Sequence, residues 1–279
     1  MKLAAGNRTL FAYTGGRTFD EQLPAIVLLH GAQGDHSVWT LQSRWLAHHG
    51  YAVLAFDLPG HGRSEGPPLP TVEAMADSIA SALQPLRTPA FVVGGHSMGS
   101  LIALETAQRL RDRVAGIALL GTAFPMRVSE ALLAATREDP ARAMQMINVW
   151  SHSAALAPFT ARPGNPGPGF SIFWENLRLM QRTEAIHGRD VLVNDFSACH
   201  AYAGGLEAMR ALACPALFVL GASDSMTPPR LAQPLIEAAR DATVVTLPNT
   251  GHALMAENPE GVRRALDTFA RKALRHRAE

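Results

Sequence analysis

Short, unbroken apolar runs alternate with helical periodicity along the first 120 residues. The runs are Ala25–Leu29, Ala52–Phe56, Ala90–Val93 and Val114–Leu120. A strand with one wet face alternates apolar and polar residues, whereas a strand covered by helices on both faces reads as a continuous apolar run. Helical periodicity lies between the runs, over about Val38–His49 and Thr71–Leu86, and again from the end of the third run to about Arg111. This pattern predicts an α/β fold, a mostly parallel central sheet with helices on both faces. The segment Thr9–Thr18 is weaker and reads as an edge hairpin turning around Gly15-Gly16.

The alternation stops near Thr122. From there to Leu206 the periodicity is helical and no segment reads as a strand. Alternation resumes with the run Ala216–Leu220, a helix after Pro228-Pro229, a strand at Thr243–Leu247 and a final helix from about Pro259. The expected organisation is therefore a core domain of residues 1–121 and 207–279, with a helical insertion over 122–206. Inside the insertion, Pro158–Gly169 is dense in proline and glycine and is expected to be a mobile loop.

The third apolar run leads into Gly95-His96-Ser97-Met98-Gly99, and Leu101-Ile102-Ala103-Leu104 continues as a helix. A serine in a tight strand-to-helix turn projects its Oγ above the sheet, with the helix N-terminus aimed at whatever sits there. Small residues two before and two after the serine let the backbone make that turn. A serine hydroxyl at neutral pH is a weak nucleophile, so Ser97 needs a histidine base and the base needs an orienting carboxylate. Asp224, in Gly221-Ala222-Ser223-Asp224, follows one predicted strand, and His252, after Pro248-Asn249-Thr250-Gly251, follows the next. Both would stand at the C-terminal edge of the sheet, where open α/β sheets carry their chemistry. Asp190 and Asp195 lie in the helical insertion and are poorer choices for the carboxylate.

Composition excludes several other classes. A net charge of +1 gives no electrostatic case for nucleic acid or acidic surfaces. The eleven histidines are scattered, without the spacing of a metal site. Cys199 and Cys214 are the two cysteines, and a chain of 279 residues needs no disulfide staple. The first residues lack the apolar core of a secretory signal, and no apolar stretch reaches the ~18 residues of a membrane span. Reduced thiols, a cytoplasmic location and no nucleic-acid or membrane partner are the expectations. No sequence signal specifies an oligomeric state.

With their setting, these residues resemble the α/β-hydrolase family, and the resemblance covers nearly the whole chain. Leu28-Leu29-His30-Gly31-Ala32 is similar to the family's His-Gly oxyanion loop. Asp57-Leu58-Pro59-Gly60-His61-Gly62-Arg63-Ser64 is similar to the loop after the next strand, and Gly251-His252 to its histidine loop. The resemblance implies a catalytic set of Ser97, Asp224 and His252, and an oxyanion hole made by the backbone N–H groups of Ala32 and Met98. It also implies a helical cap over the site and a reaction needing no cofactor and no metal. Haloalkane and epoxide chemistry in the family uses an aspartate where this chain has Ser97. His30, His61 and His96 are expected to support loops, and Asp57 to fix its own.

The expected activity is cleavage of a carboxylic ester of a small or medium apolar acyl group through an acyl-enzyme. Several alternatives share the site: a lactonase resembling 3-oxoadipate enol-lactonase, a carbon–carbon bond hydrolase, a perhydrolase and a carrier-protein methyl esterase. From another class, a non-catalytic ligand receptor on this fold is the rival. The expected partner is a small-molecule ester or lactone. Large apolar residues of the insertion (Met144, Met146, Trp150, Phe159, Phe170, Phe173 and Trp174) are expected mostly to form its core, with a few lining an acyl pocket. Its arginines (Arg127, Arg137, Arg142, Arg178, Arg182 and Arg189) read first as a solvated face.

Overall fold

The computed structural model describes residues 1–153 and 172–278. The expected loop at Pro158–Gly169 lies outside the described residues. The strands are β1 (Lys2–Ala5), β2 (Arg8–Tyr13), β3 (Ala25–Leu29), β4 (Ala52–Phe56), β5 (Phe91–His96), β6 (Val114–Leu120), β7 (Ala216–Gly221) and β8 (Ala242–Leu247). They form one sheet in the order β1-β2-β4-β3-β5-β6-β7-β8. The pairs β1–β2 and β2–β4 are antiparallel, and every pair from β4 across to β8 is parallel.

The N-terminal hairpin turns at a different place from the one the sequence suggested. Ala5 pairs with Arg8, so Gly6-Asn7 is the two-residue loop, with Gly6 at a φ of +64°. Two-residue hairpin loops need positive φ early in the turn, which glycine supplies without a Cβ penalty. Gly15 and Gly16 lie beyond β2, where they turn the chain away from the strand.

The helices are α1 (Thr40–Ala47), α2 (Val72–Leu83), α3 (Met98–Leu110), α4 (Glu130–Glu138), α5 (Pro140–Ser151), α6 (Ile172–His187), α7 (Asp190–Ala201), α8 (Gly205–Ala211), α9 (Gln233–Ala238), α10 (Leu254–Glu257) and α11 (Pro259–Ala278). Local chemistry sets their starts. The Thr71 hydroxyl accepts from Ala74 N–H at the start of α2 (3.1 Å), and the Asp139 carboxylate accepts from Arg142 N–H at the start of α5 (3.1 Å). Each satisfies an N–H that has no partner inside its helix. Pro140 then occupies the first helical position, where a missing N–H costs nothing.

Strand periodicity sorts the apolar runs onto two faces. Ala25, Val27 and Leu29 of β3 pack with Met75, Ile79 and Leu83 of α2 and Leu101 and Leu104 of α3. Ile26 and Leu28 face the other way, in a cluster with Leu46 of α1 and Leu266, Phe269 and Ala270 of α11. Between β6 and β7 the elements among the described residues are all helices. A third cluster there joins Leu132, Met144, Ile147, Met180, Leu192 and Phe196 from α4 to α7. Helix α8 straddles position 206, and its Ala208 and Met209 join the main core.

From β3 the chain steps to β4 on one side and then crosses to β5 on the other. Such a reversal opens a crevice at the C-terminal ends of the two flanking strands. Those ends carry His30-Gly31-Ala32 and Ser97. Among the described residues no helix is long and apolar enough to cross a membrane.

Candidate active site

Ser97 stands between β5 and α3 with φ 52° and ψ −121°. That conformation costs an L-residue roughly 1–3 kcal/mol and persists only where its surroundings enforce it. Here they do. Ser97 N–H donates to the Leu120 carbonyl at the end of β6 (2.9 Å), and its own carbonyl accepts from Ser100 N–H (2.8 Å) and Ser100 Oγ (2.6 Å). A Cβ on Gly95 would fall on the Gly99 carbonyl, and one on Gly99 would fall on the carbonyls of Leu29 and His30. The two flanking glycines are therefore required by close backbone approach. A Cβ on Gly31 would come within 3.1 Å of Ser97 Cβ, so the loop after β3 lies directly against the serine.

Asp224 follows β7, His252 follows β8, and the two meet: His252 Nδ1 lies 2.8 Å from Asp224 Oδ2. The carboxylate is heavily solicited. Its Oδ1 accepts from the N–H groups of Met226 (2.9 Å) and Thr227 (2.8 Å). The Thr227 hydroxyl lies 2.8 Å from Oδ2, 3.1 Å from His252 Nδ1 and 2.9 Å from the Gly121 carbonyl. Burial would raise the Asp224 pKa, but the adjacent His252 and these hydrogen bonds outweigh it and hold the carboxyl at about 2. An ionised Asp224 keeps the proton on Nδ1 and leaves Nε2 as the basic nitrogen. The His252 backbone is also held, since His96 Nε2 donates to its carbonyl at 2.8 Å. Burial and the neighbouring His252 lower the His96 pKa to about 3, so His96 serves as a neutral donor.

Ser97 and His252 share the wall of one cavity of about 1360 Å³. Among the described residues Ser97 Oγ has no hydrogen bond.

His30 orders the loop beside Ser97. Its Nε2 accepts from Leu58 N–H (3.0 Å), so Nδ1 carries the proton and donates to the Gly31 carbonyl (2.8 Å). Burial and the nearby His61 lower its pKa to about 4, consistent with a neutral ring. Gly34 N–H returns to the Gly31 carbonyl, and Gln33 N–H is taken by Asp195 Oδ2 (2.8 Å). Among the described residues nothing accepts the Ala32 N–H between them. Met98 is the first residue of α3, where an N–H has no intrahelical acceptor. Asp57 ties the loop after β4 to the one after β3, accepting from His36 N–H (2.7 Å), and closes its own loop by accepting from Arg63 N–H (2.8 Å).

Apolar side chains dominate the cavity beyond Ser97, among them Leu132, Ile147, Trp150, Leu179 and Phe196. Of the large residues named from sequence, Trp150 lines the cavity and Met144 is buried in the helical cluster. The Phe173 ring packs on His152, and Trp174 is 55% exposed. Phe159 and Phe170 lie outside the described residues. Arg127, Arg178 and Arg182 also line the cavity, and Arg182 pairs with Asp35 at 2.6 Å. Asp35, His36 and Asp57 group closely enough to offer a cation three ligand atoms. Their oxygens already accept from His36, Ser37, Arg63 and Arg182. Cys199 and Cys214 are unpaired.

Three participants had no local sequence signal. Thr227 joins three groups of the site although its own neighbourhood reads as an ordinary loop. Asp195 reaches the loop after β3 from α7. Glu257 accepts from both Gly251 N–H (3.0 Å) and Ser153 N–H (3.2 Å), tying the His252 loop to the end of α5.

Comparison with known proteins agrees with this architecture. The family model described as the alpha/beta hydrolase family matches residues 26–265. A pimeloyl-[acyl-carrier protein] methyl ester esterase from Chromobacterium violaceum is 32% identical over 260 residues, covering 88% of this chain and 93% of that protein. Two solved structures show the same fold. A thermophilic esterase from Thermogutta terrifontis has a TM-score of 0.78 at 23% identity, covering 98% of each chain. The enol-lactonase from Burkholderia xenovorans LB400 has a TM-score of 0.79 at 22% identity, covering 97% of this chain and 99% of its own. With a mostly parallel sheet of this order, a strained serine at its switch point and a family match along most of its length, this chain belongs to the alpha/beta hydrolase family as an esterase-like hydrolase.

Proposed function

We propose that this enzyme hydrolyses a carboxylic ester of a small or medium apolar acyl group through an acyl-enzyme on Ser97. The observation that carries the reading is the Asp224–His252 contact on the same cavity wall as a serine held in a strained strand-to-helix turn. His252 Nε2 takes the Ser97 proton as Oγ attacks the ester carbonyl. Asp224 holds the imidazole tautomer and stabilises the imidazolium that forms. Charge develops on the carbonyl oxygen, and the N–H groups of Ala32 and Met98 receive it; each such donor lowers the barrier by roughly 3–4 kcal/mol. The imidazolium then protonates the departing alcohol, and water repeats the sequence to release the acid. The helices from about residue 122 to 206 act as a cap whose apolar residues, Trp150 and Phe196 among them, meet the acyl chain.

Ser97→Ala should abolish turnover of p-nitrophenyl esters while circular dichroism and melting temperature stay those of the parent. A fluorophosphonate should label Ser97 stoichiometrically in the unmodified protein. Retained turnover in the variant, or no labelling, would remove the mechanism and favour a ligand receptor.

A second reading places the ester on an acidic carrier. Arg178 and Arg182 are exposed and line the cavity, and a relative is named for a carrier-bound methyl ester. Charge-steered association weakens with salt. Steep loss of kcat/KM on a carrier-bound ester between low and high salt, with a neutral p-nitrophenyl ester unaffected, would select this reading.

A further inference from the structure

We propose that Asp195, on α7, is a positioning residue for the oxyanion donor Ala32, acting through the backbone of Gln33. The inference rests on the acyl-enzyme reading above. Asp195 stands 162 residues from Gln33 in sequence, yet its Oδ2 accepts the Gln33 N–H at 2.8 Å. The same oxygen lies 2.9 Å from His61 Nε2. Both side chains of this pair are fully buried.

Gln33 is held in the left-handed region at φ +59°, a conformation a non-glycine residue keeps only under external constraint. The constraint comes from two helices. Asp195 of α7 holds the Gln33 N–H, and the Thr183 hydroxyl of α6 lies 3.2 Å from the Gln33 carbonyl and 3.0 Å from the Leu179 carbonyl of its own helix, with one proton to share between them. The Ala32 N–H lies in the Gly31–Ala32 peptide plane, whose carbonyl His30 and Gly34 hold, and the Gln33 N–H lies in the following plane, joined to it only through φ and ψ of Ala32, so pinning Gln33 limits how far the Ala32 N–H can turn.

A stabilising role alone explains the pair poorly. Among the described residues Asp195 Oδ1 is buried without a hydrogen-bond partner, which carries a desolvation cost. A buried ion pair is in general no better for stability than apolar side chains of the same volume. His61 has an acceptor on each side, the Pro59 carbonyl at 3.2 Å from Nδ1 and Asp195 at Nε2. Burial opposes its charging, but Asp195 and Pro59 outweigh burial and raise its pKa. The His61–Asp195 pair places a buried carboxylate oxygen against one backbone N–H, one residue from the site where negative charge develops. Donors to such charge act only at the right distance, and small displacements are expensive.

The test compares Asp195→Ala with Asp195→Asn, which keeps an acceptor oxygen. Active sites are titrated with a fluorophosphonate, and kcat, KM and inhibition by a trifluoromethyl ketone are measured well below each melting temperature. Asp195→Ala should lose roughly 10- to 100-fold in kcat per titrated site with KM within about threefold. Affinity for the ketone, whose tetrahedral adduct places an oxyanion at Ala32, should fall in step. Asp195→Asn should recover most of both losses. If Asp195→Ala does not fold, the apolar double variant His61→Phe/Asp195→Leu replaces it, with the same expected kinetics. A folded variant without the acceptor that turns over and binds the ketone like the parent, even if it melts lower, overturns the inference. An unmodified protein that is not labelled at Ser97 would instead fail the underlying acyl-enzyme reading.

Discussion

Asp224→Asn separates orientation of the base from stability. In the native site Oδ2 faces His252 Nδ1 at 2.8 Å, while Oδ1 accepts from the N–H groups of Met226 and Thr227. An asparagine keeps its carbonyl oxygen on those two N–H groups, because its NH2 cannot accept from them. The NH2 then faces His252, so Nδ1 must become the acceptor and the proton moves to Nε2. The nitrogen that should take the Ser97 proton is then already protonated. A wrong tautomer of this kind lowers kcat by about 10⁴-fold, or about 5.5 kcal/mol of barrier. The stability effect is smaller. Asp224 is held at about 2 in the folded chain against about 3.9 when unfolded. Because the folded value is depressed, the carboxylate contributes about 2–3 kcal/mol that is present above about pH 4 and lost as pH falls toward 2. Removing it should lower the melting temperature by only a few degrees at neutral pH. Kinetics on a p-nitrophenyl ester, with active sites titrated and a thermal melt on the same preparation, measure both quantities. A folded Asp224→Asn enzyme that keeps more than about a tenth of the parent kcat would refute the assignment of Asp224 as the orienting acid.

Three further variants test the surroundings of the site. Thr227→Val keeps the side-chain shape and removes the hydroxyl shared by Asp224, His252 and the Gly121 carbonyl; kcat should fall about tenfold with about 1–3 kcal/mol lost in chemical denaturation. His96→Phe leaves the His252 carbonyl unpartnered, so kcat should fall. Because His96 is held near 3 and does not titrate at working pH, the acidic limb of the pH–rate profile should stay in place. Phe269→Ala empties a buried site where α11 packs onto Gly116 of β6, and urea denaturation should show about 3–5 kcal/mol lost with native turnover at low urea.

Much of the sheet was legible because it is written locally. Strands β4 (Ala52–Phe56) and β6 (Val114–Leu120) coincide with their apolar runs, since a strand buried on both faces is apolar throughout its length. The N-terminal hairpin was misread because two glycine-containing segments compete and only strand register chooses between them; Gly6-Asn7 pairs Ala5 with Arg8. The elbow around Ser97 was legible because a serine between Gly95 and Gly99 at a strand-to-helix junction is a local steric solution. Thr227 was not, because its hydroxyl matters only where the ends of β6, β7 and β8 converge. Asp195 reads from the sequence as a poorer acid than Asp224; its contact with the loop after β3 spans 162 residues, and no local pattern encodes it.

Hydrophobic periodicity and short backbone-limited turns by themselves determined the layered sheet, its order of strands and helices, and the positions where reactive side chains would stand. Those properties follow from neighbours along the chain and need no knowledge of distant contacts. Only tertiary structure decided that the Thr227 hydroxyl joins Asp224 and His252, what holds the left-handed turn at Gln33, and which helix side chains line the cavity beside Ser97. Each of those depends on an angle or a few tenths of an ångström between segments far apart in sequence, and hydrogen bonds and buried charges act only at such distances.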